Sequence, residues 1–238
     1  MGRILFITGT GTDVGKTALS LAALLWARGK GLRAAYLKPV QCGTFAFGEP
    51  AAHGGDADWI RALSGGMPAA VTCALRMAAS PHLAAEREGR VLDPGALARD
   101  ARAKAADCEL LILEGSGGAA VPLNRAGSTV AEVAKDLGAP ALIACAPGLG
   151  TLHHTLATVA YLRGLQAPIA GFAFCEREAM VSELAADNAA TLRALTTLPY
   201  FGMLPFQSRV AAGLPLASVA EAAWIAPLSP ALETWWSA

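Results

Sequence analysis

Short runs of apolar residues recur along the 238-residue chain, separated by longer stretches rich in alanine and leucine. Short apolar runs are typical of strands buried on both faces, and the longer stretches have the length of helices. This pattern predicts six strands, at 4–7, 34–37, 109–114, 141–146, 168–175 and 200–205. Because alternating strands and helices form mainly parallel sheets with helices on both faces, we expect one α/β domain over residues 1–238.

Helices are predicted where capping residues precede amphipathic stretches. Four helices are expected with both ends defined: Thr17 to Arg28, Asp93-Pro94 to Asp107, Ser128 as cap to Leu137, and Val181 to Leu195. Three more are expected from their starts alone: a short helix from Asp56, one after Ser80-Pro81 and one from Thr151. Residues 41–55 are predicted to be a loop suited to covering a site. No element is assigned after about residue 206, but Trp235-Trp236 should seek burial against the body of the protein or a second subunit.

The segment that joins the first strand to the first helix is rich in glycine and ends in Gly15-Lys16-Thr17. A strand, a glycine-rich turn and a helix start together form a phosphate-binding loop, because backbone N–H groups and the helix dipole then face an anion. We predict such a P-loop over residues 9–17, with Lys16 on the β and γ phosphates and the Thr17 hydroxyl on Mg²⁺. One position is unusual: Thr10 stands where the first glycine is expected, and Gly9 precedes it.

Three further charged side chains are expected at the same edge of the sheet. Lys38 follows the second strand, Asp56 begins a helix, and Glu114 ends a strand before Gly115-Ser116-Gly117-Gly118. Ligands of α/β sheets bind outside the carboxyl ends of the strands, and Mg²⁺ takes few protein oxygens besides phosphates and waters. Thr17, Asp56 and Glu114 are therefore predicted metal ligands. Solvated strand ends and a helix cap are the simpler interpretations of these charged residues.

Composition and charge narrow the class of partner. The chain carries 19 basic and 19 acidic residues, without a block of five like charges, so a small molecule is expected rather than nucleic acid. Its five cysteines are scattered without a C-x-x-C pair, which is typical of a reducing compartment. The N-terminus predicts neither a signal peptide nor a membrane span, so we expect a cytoplasmic protein without a membrane partner.

These motifs, in their order along the chain, resemble those of the dethiobiotin synthetase family. The resemblance covers most of the chain to about residue 205, and the shifted first glycine is the family's own form of the loop. It rests on Gly9 to Thr17, Lys38-Pro39-Val40-Gln41, Asp56, Ser80 to Ala85, Glu114 to Gly118 with Val121-Pro122-Leu123, Leu149 to Leu152 with His154-Thr155, and Gly202-Met203-Leu204-Pro205.

The resemblance implies carboxylation and ring closure of 7,8-diaminononanoate with CO₂, driven by ATP and Mg²⁺ through a carbamate and a carbamic-phosphoric anhydride. It also implies a homodimer with each site completed by the partner subunit.

The resemblance also assigns roles to individual residues. The implied catalytic residues are Lys16, Lys38 and Thr12, and the implied metal ligands are Thr17, Asp56 and Glu114. The implied nucleotide contacts are Thr12, Asp13, Val14, Gly15, Lys16, Thr17, Glu114, Gly117, Cys175 and Pro205. No contact is implied at position 18, where Ala18 follows Thr17 and a second threonine is absent. The implied substrate contacts are Cys42, Gly118, Leu149, Gly150, Thr151, Leu152 and His153.

Three positions depart from the family pattern. Cys42 stands where Ser or Thr is usual near the carbamate, His153 where Asn is usual near the carboxylate, and Cys175 where Asn reads the adenine. A thiol is a poorer hydrogen-bond partner than an amide or a hydroxyl, which puts strict selectivity for adenine in doubt. A histidine near the carboxylate allows pH to tune that contact.

Other functions are compatible with a phosphate-binding loop on this fold. A dimeric ATPase switch of the partition or cell-division type carries a second lysine early in the loop, where this chain has Gly11, and has no role for the segment Ser80 to Ala85. A related ATP-dependent amidoligase is a further alternative. A nucleotide-free binding protein is disfavoured, because the phosphate loop and both carboxylates are intact.

Overall fold

Seven strands form one sheet in the computed structural model, which describes residues 2–43, 55–177 and 182–238. They are β1 (Arg3–Gly9), β2 (Ala34–Cys42), β3 (Ala69–Leu75), β4 (Leu110–Glu114), β5 (Ala141–Cys145), β6 (Ile169–Cys175) and β7 (Tyr200–Leu204). Their order across the sheet is β3-β2-β4-β1-β5-β6-β7, and each pairing between them is parallel. The predicted α/β fold with a parallel sheet is confirmed.

Helices cover both faces of this sheet, as predicted. They are α1 (Lys16–Gly29), α2 (Asp56–Leu63), α3 (Pro81–Arg87), α4 (Pro94–Ala106), α5 (Val130–Asp136), α6 (Thr151–Gly164), α7 (Ser182–Thr196), α8 (Ser208–Ala211), α9 (Ser218–Ile225) and α10 (Ser229–Ser237). Helices α3 to α7 contribute to one core, and α1, α2 and α8 to α10 to the other. Among the described residues, none of the helices is both long and apolar enough to cross a membrane.

The central strand β1 shows why there are two cores. Successive side chains of a strand point to opposite faces, so Ile4 and Phe6 enter one core while Leu5 and Ile7 enter the other. All four are buried. A strand buried on both faces reads as a continuous apolar run, which is why the sequence pattern predicted it correctly.

Strand β2 is longer than predicted, because it continues past Lys38 and Pro39 to Cys42. Proline removes a backbone N–H, but the pairing of β2 with β4 already ends at Leu37 and Leu113, so no bond of that ladder is lost. Lys38 is consequently inside a strand and only 6% exposed, which rules out the solvated strand-end interpretation. The expected loop at 41–55 begins after Cys42, and its residues 44–54 lie outside the described residues.

Strand β3 was not predicted. It lies at the edge of the sheet beyond β2, and only Cys73 and Leu75 of its side chains are buried. A sequence rich in alanine carries little strand propensity and no clear alternation, so the pattern gives no signal there. Strands β1 and β2 are parallel, as expected for a βαβ unit, but β4 lies between them.

Helix α5 begins at a different cap from the one predicted. Thr129, not Ser128, is the capping residue: its hydroxyl accepts from the Glu132 backbone N–H at 3.2 Å, and the Glu132 carboxylate accepts from the Thr129 backbone N–H at 2.7 Å. This reciprocal capping box satisfies two backbone donors at once. Ser128 instead donates its backbone N–H to the Asn124 side chain. The sequence carried the signal that separates the two residues, since a glutamate lies three positions after Thr129 and an alanine three positions after Ser128.

Three helices, α8, α9 and α10, follow β7 in the region left unassigned by the sequence pattern. The terminal tryptophans are half-buried, and they pack against the body of the same chain. Trp236 packs edge-on against Trp26 of α1 at 6.4 Å, and the Arg3 guanidinium lies 5.0 Å from the Trp236 ring. The tail after β7 is therefore part of the core around α1.

Candidate active site

A cleft of about 820 Å³ opens where several strands reach their carboxyl ends. It is the edge at which α/β sheets bind ligands. Most of the predicted site residues line this cleft: Thr12, Asp13, Gly15, Lys16, Thr17, Lys38, Cys42, Asp56, Glu114, Gly117, Cys175 and Pro205. The structure thus brings together side chains that are distant in sequence, from Thr12 near the start of the chain to Pro205 near its end.

The phosphate loop between β1 and α1 closes on itself. The Lys16 ammonium donates to the Gly11 carbonyl at 2.7 Å, and the Thr10 backbone N–H donates to Ala144 in β5 at 3.1 Å. A β-carbon on Gly9 would lie 2.6 Å from a methyl carbon of Val14 and 3.1 Å from Lys16 Cγ, so any larger residue there would displace these side chains. This close approach accounts for a glycine at position 9 rather than 10.

Two other residues of the loop have left-handed backbone conformations. Gly15, with a φ of 92°, precedes α1, and Asp13 has a φ of 57°, which aspartate tolerates better than most residues. A β-carbon on Gly15 would lie 2.4 Å from the β-carbon of Cys175 in β6. The loop therefore packs against β6 as well as following directly from β1.

Lys16 is the cation of this loop and is only 7% exposed. Burial lowers the pKa of its ammonium; the attraction of Glu114 opposes this effect and the repulsion of Lys38 adds to it. A lowered pKa means that the protein alone compensates this charge incompletely. A bound anion would supply the missing compensation, which is what a phosphate-binding lysine requires.

A buried charge cluster lies beside the loop. The Lys38 ammonium is 3.0 Å from Glu114 Oε1 and also contacts Asp56 Oδ2, and Glu114 is fully buried. Burial disfavours the charged form of Lys38, but the charges of Glu114 and then Asp56 outweigh it and raise the pKa. Burial likewise opposes ionisation of Glu114, yet the Lys38 charge and the Ser20 hydrogen bond keep its pKa below the ordinary value.

The hydroxyl groups of α1 complete the hydrogen bonding of Glu114. Thr17 Oγ1 donates to Oε1 at 3.0 Å, and Ser20 Oγ donates to Oε2 at 2.7 Å. Sequence reasoning missed Ser20. The signal was present, since a polar residue three positions after Thr17 in an apolar helix lies on the same helical face.

Ala18, to which no contact was assigned, also borders the cleft, and its methyl group offers no hydrogen bond there.

Two polar residues near β2 help to place the rest of the cluster. The backbone N–H of Asp56 donates to the Gln41 side chain at 3.2 Å, which ties the start of α2 to the end of β2. The Ser116 hydroxyl donates to the carbonyl of Val40. Asp56 therefore owes its position beside Lys38 to contacts with the strand that carries Lys38.

The oxygen donors of this cluster suit Mg²⁺. They are the Thr17 hydroxyl and the carboxylates of Asp56 and Glu114, which are hard ligands, and Mg²⁺ commonly takes only one or two carboxylates from a protein. No group of three or more His, Cys, Asp or Glu side chains arranged to hold a metal occurs in residues 2–43, 55–177 and 182–238. The fully buried Glu114 carboxylate needs a nearby cation, and the Lys38 ammonium meets that need here.

The far wall of the cleft is formed after β6 and β7. Cys175 is 2% exposed, and burial raises the pKa of its thiol far above the ordinary value. Pro205 accepts a hydrogen bond at 2.8 Å from the indole N–H of Trp224, a residue of α9 that sequence reasoning missed. On the opposite side, half-buried Cys42 has a pKa raised to about 11 by burial.

Some predicted residues lie beside the cleft rather than on it. Val14 packs into the core around α1, and Gly118 packs against the phosphate loop, where a β-carbon would lie 3.7 Å from the Gly11 nitrogen. The five residues of the turn between β5 and α6 do not line the cleft: Leu149, Gly150, Thr151, Leu152 and His153. Leu149 at its tip is 94% exposed.

Comparison with known structures supports the fold. The cell division ATPase MinD of Pyrococcus furiosus superimposes with a TM-score of 0.58 at 15% identity, covering 98% of this chain and 99% of that one. The MinC:MinD cell division protein complex of Aquifex aeolicus gives a TM-score of 0.60 at 11% identity, covering 98% and 96%. At such low identity the likeness shows the architecture alone.

Comparison with known sequences is more specific. Residues 3–213 match the model of the AAA domain family. The ATP-dependent dethiobiotin synthetase BioD of Anaeromyxobacter dehalogenans (strain 2CP-C) is 39% identical over 212 residues, which cover 88% of this chain and 92% of that protein. The ATP-dependent dethiobiotin synthetase BioD of Ralstonia nicotianae is 37% identical over 204 residues, covering 84% and 87%. With this identity over most of both lengths, the chain belongs to the dethiobiotin synthetase family.

Proposed function

We propose that this chain, acting as one domain over residues 1–238, is an ATP-dependent dethiobiotin synthetase. It would carboxylate 7,8-diaminononanoate with CO₂, phosphorylate the carbamate and close the ring, releasing ADP and phosphate. The observation that carries the proposal is the buried Lys38 ammonium, held by Glu114 and Asp56 beside the phosphate loop. It supplies a second fixed cation next to Lys16, as transfer of a phosphoryl group to an anionic carbamate requires.

The loop over residues 9–17 would bind the phosphates of ATP. Its backbone N–H groups would bind the anion at the start of α1, and Lys16 would exchange its bond to the Gly11 carbonyl for phosphate oxygens. Thr17, Asp56 and Glu114 would hold Mg²⁺, which neutralises phosphate charge when bound. Asp13, Gly15 and Gly117 line the same part of the cleft, with the Thr12 hydroxyl beside Gly117.

Lys38 would act on the carbamate. Its raised pKa keeps the ammonium charged at neutral pH, so that it can neutralise the carbamate and the anhydride as they form. Cys42 on the same strand and Gly118 beside the loop would contact the reacting end of the diamine. The catalytic contribution of these groups is mainly positioning and charge neutralisation, since phosphoryl transfer asks little covalent chemistry of the protein.

The carboxylate of the substrate would be bound by a partner subunit. In one chain the turn from Leu149 to His153 lies outside the cleft, and its tip residue Leu149 is 94% exposed. Gly150, with a φ of 87°, is the N-cap of α6 there and leaves a helix N-terminus suited to a carboxylate. A homodimer that inserts this turn into the neighbouring cleft would complete the site.

The base of the nucleotide would lie toward the far wall, near Cys175 and Pro205. The Cys175 thiol is buried against Gly15 and is a weak hydrogen-bond partner, so we expect modest discrimination between ATP and other triphosphates. A cytoplasmic location accords with the five free cysteines. The switch-type ATPase is disfavoured: its structural likeness concerns the fold alone, and position 11 of the loop is glycine.

Phosphate release in the presence of the diamine tests this function. The purified chain is incubated with ATP, Mg²⁺ and bicarbonate, with and without 7,8-diaminononanoate. The proposal predicts release that depends on the diamine and is lost in Lys38→Ala but kept in the control Lys30→Ala, a surface lysine. ATP hydrolysis at the same rate without the diamine would favour the switch.

A further inference from the structure

The far wall of the cleft is tied to a helix that lies outside the family match. That match ends at residue 213, whereas α9 begins at Ser218. Trp224 of α9 is 4% exposed, borders the cleft and donates its indole N–H to the Pro205 carbonyl at 2.8 Å. Buried indole N–H groups need a partner, so this bond fixes both the ring and the strap that follows β7.

The strap, residues 205–207, is held from a second side. The backbone N–H of Phe206 donates to the Glu176 carboxylate at 3.2 Å, and the Phe206 side chain remains 44% exposed. The chain before the strap is equally constrained: at Gly202, whose φ is 108°, a β-carbon would lie 2.3 Å from the Pro227 carbonyl oxygen. The tail therefore packs directly against the end of β7.

Helix α9 is also joined to the helix that begins in the phosphate loop. Glu221 pairs with Arg28 near the end of α1 at 2.5 Å, and Arg28 donates as well to the Ser64 carbonyl at 2.6 Å. The two ends of the cleft are thus connected through α1 and α9. Displacement of α9 would move the strap relative to the phosphate loop.

The chemistry of the cleft divides it into two parts. Around Lys38, Asp56 and Ser80 the lining is charged and polar. The lining that the ends of β6 and β7 and the tail contribute is mainly apolar and aromatic, with Glu176, Arg177 and Gln207 as its polar members. Its apolar and aromatic members are Leu204, Pro205, Phe206, Val210, Ala211 and Trp224. With its phosphates on Lys16, a nucleotide would place its flat, apolar base against the second part.

We infer that Trp224 is a positioning residue for the nucleotide: by anchoring the strap at Pro205, it sets the affinity of the cleft for the base. The inference rests on the proposed ATP-dependent function. It predicts that loss of the indole N–H weakens nucleotide binding while leaving the phosphate-transfer groups in place. Because the hydrogen bonds that hold Lys16, Lys38 and Glu114 do not involve Trp224, kcat should be spared.

The test compares Trp224→Phe, which keeps an aromatic ring but removes the N–H, with Trp236→Phe, which alters the same tail away from the cleft. Calorimetric titration with ADP should show a Kd about five- to tenfold higher for Trp224→Phe and unchanged for Trp236→Phe. The KM for ATP should rise in parallel, with kcat within about twofold and an unchanged KM for the diamine. A higher KM for ATP with unchanged kcat and an unchanged KM for the diamine distinguishes a role in positioning the base from a general loss of structure.

A Trp224→Phe variant that binds ADP as the parent does overturns the inference alone. A parent chain that fails to bind ADP overturns the proposed function and the inference with it. If Trp224→Phe does not fold, Glu221→Gln is tested instead, because it weakens the ion pair that joins α9 to Arg28 of α1. In that variant a Kd for ADP about twofold higher supports the inference, and an unchanged Kd overturns it.

Discussion

The Lys38 ammonium and the Glu114 carboxylate lie 3.0 Å apart inside the protein, on neighbouring parallel strands. Leu37 pairs with Leu113, so the register of β2 on β4 places the next residue of each strand side by side. Removing one member of a buried pair leaves the other as an uncompensated charge, which costs more than the pair itself contributes. The relationship therefore makes a clear prediction for stability.

The change Lys38→Met should lower the free energy of unfolding by about 3–5 kcal/mol, because the buried Glu114 carboxylate then loses the cation that compensates its charge. Adding Glu114→Gln to that variant should recover part of the loss. Urea denaturation of the nucleotide-free protein measures both. Losses that simply add in the double variant would mean that the two charges do not depend on each other.

Lys16→Ala should affect turnover strongly and stability little, in contrast to Lys38→Met. Burial already disfavours the Lys16 charge, as its lowered pKa shows, so its removal should change the free energy of unfolding by less than about 1 kcal/mol. Turnover should fall by at least about a thousandfold, since the phosphates lose their cation. Steady-state kinetics beside thermal melting checks both statements, with Lys30→Ala as the surface control. Retained turnover would remove the loop lysine from the mechanism.

The cap of α5 offers a matched pair of neighbouring hydroxyl residues. Thr129→Ala breaks the capping box and should cost about 1 kcal/mol of unfolding free energy, whereas Ser128→Ala should cost close to none. Chemical denaturation of the two variants side by side decides between them. Equal losses would show that the box does not stabilise the helix start.

Cys42 should be a slow nucleophile despite its place on the cleft. Burial raises the pKa of its thiol to about 11, so at pH 8 only about one molecule in a thousand carries the thiolate. Alkylation of Cys42 by iodoacetamide should therefore rise about tenfold per pH unit from pH 8 to 10, as followed by peptide mass spectrometry. A rate that levels off near pH 8.5, the behaviour of an ordinary thiol, would contradict this assignment. Cys42→Ser identifies the labelled peptide.

The parts of the fold that sequence patterns predicted depend on local signals. The β1 strand, the phosphate loop and the start of α1 follow from an apolar run, glycines and a helix signature within a few residues of one another. Thr17 was predicted from the phosphate-loop motif, Asp56 as a carboxylate at a helix start, and Glu114 from its place at the carboxyl end of a strand. For Thr17 and Glu114 these local signals were sufficient, whereas the position of Asp56 depends on the contact of α2 with Gln41 of β2.

What the patterns missed depends on contacts between distant segments. The burial of Lys38 follows from the register of β2 on β4 and from the later start of the loop, neither of which local sequence reveals. Trp224 reaches Pro205 because α9 packs against α1. The edge strand β3 forms through its pairing with β2. Propensity and periodicity are weak guides where tertiary packing determines the structure.

The proposed function requires that this cleft join CO₂ to a diamine at the expense of ATP. Incubation with ¹³C-bicarbonate, ATP, Mg²⁺ and 7,8-diaminononanoate, followed by mass spectrometry, follows the carbon atom into the product. We expect the cyclic urea dethiobiotin carrying one ¹³C atom, formed with ADP and phosphate and absent with Lys16→Ala. Unlabelled product, or hydrolysis of ATP with no cyclic urea, would refute the synthetase assignment.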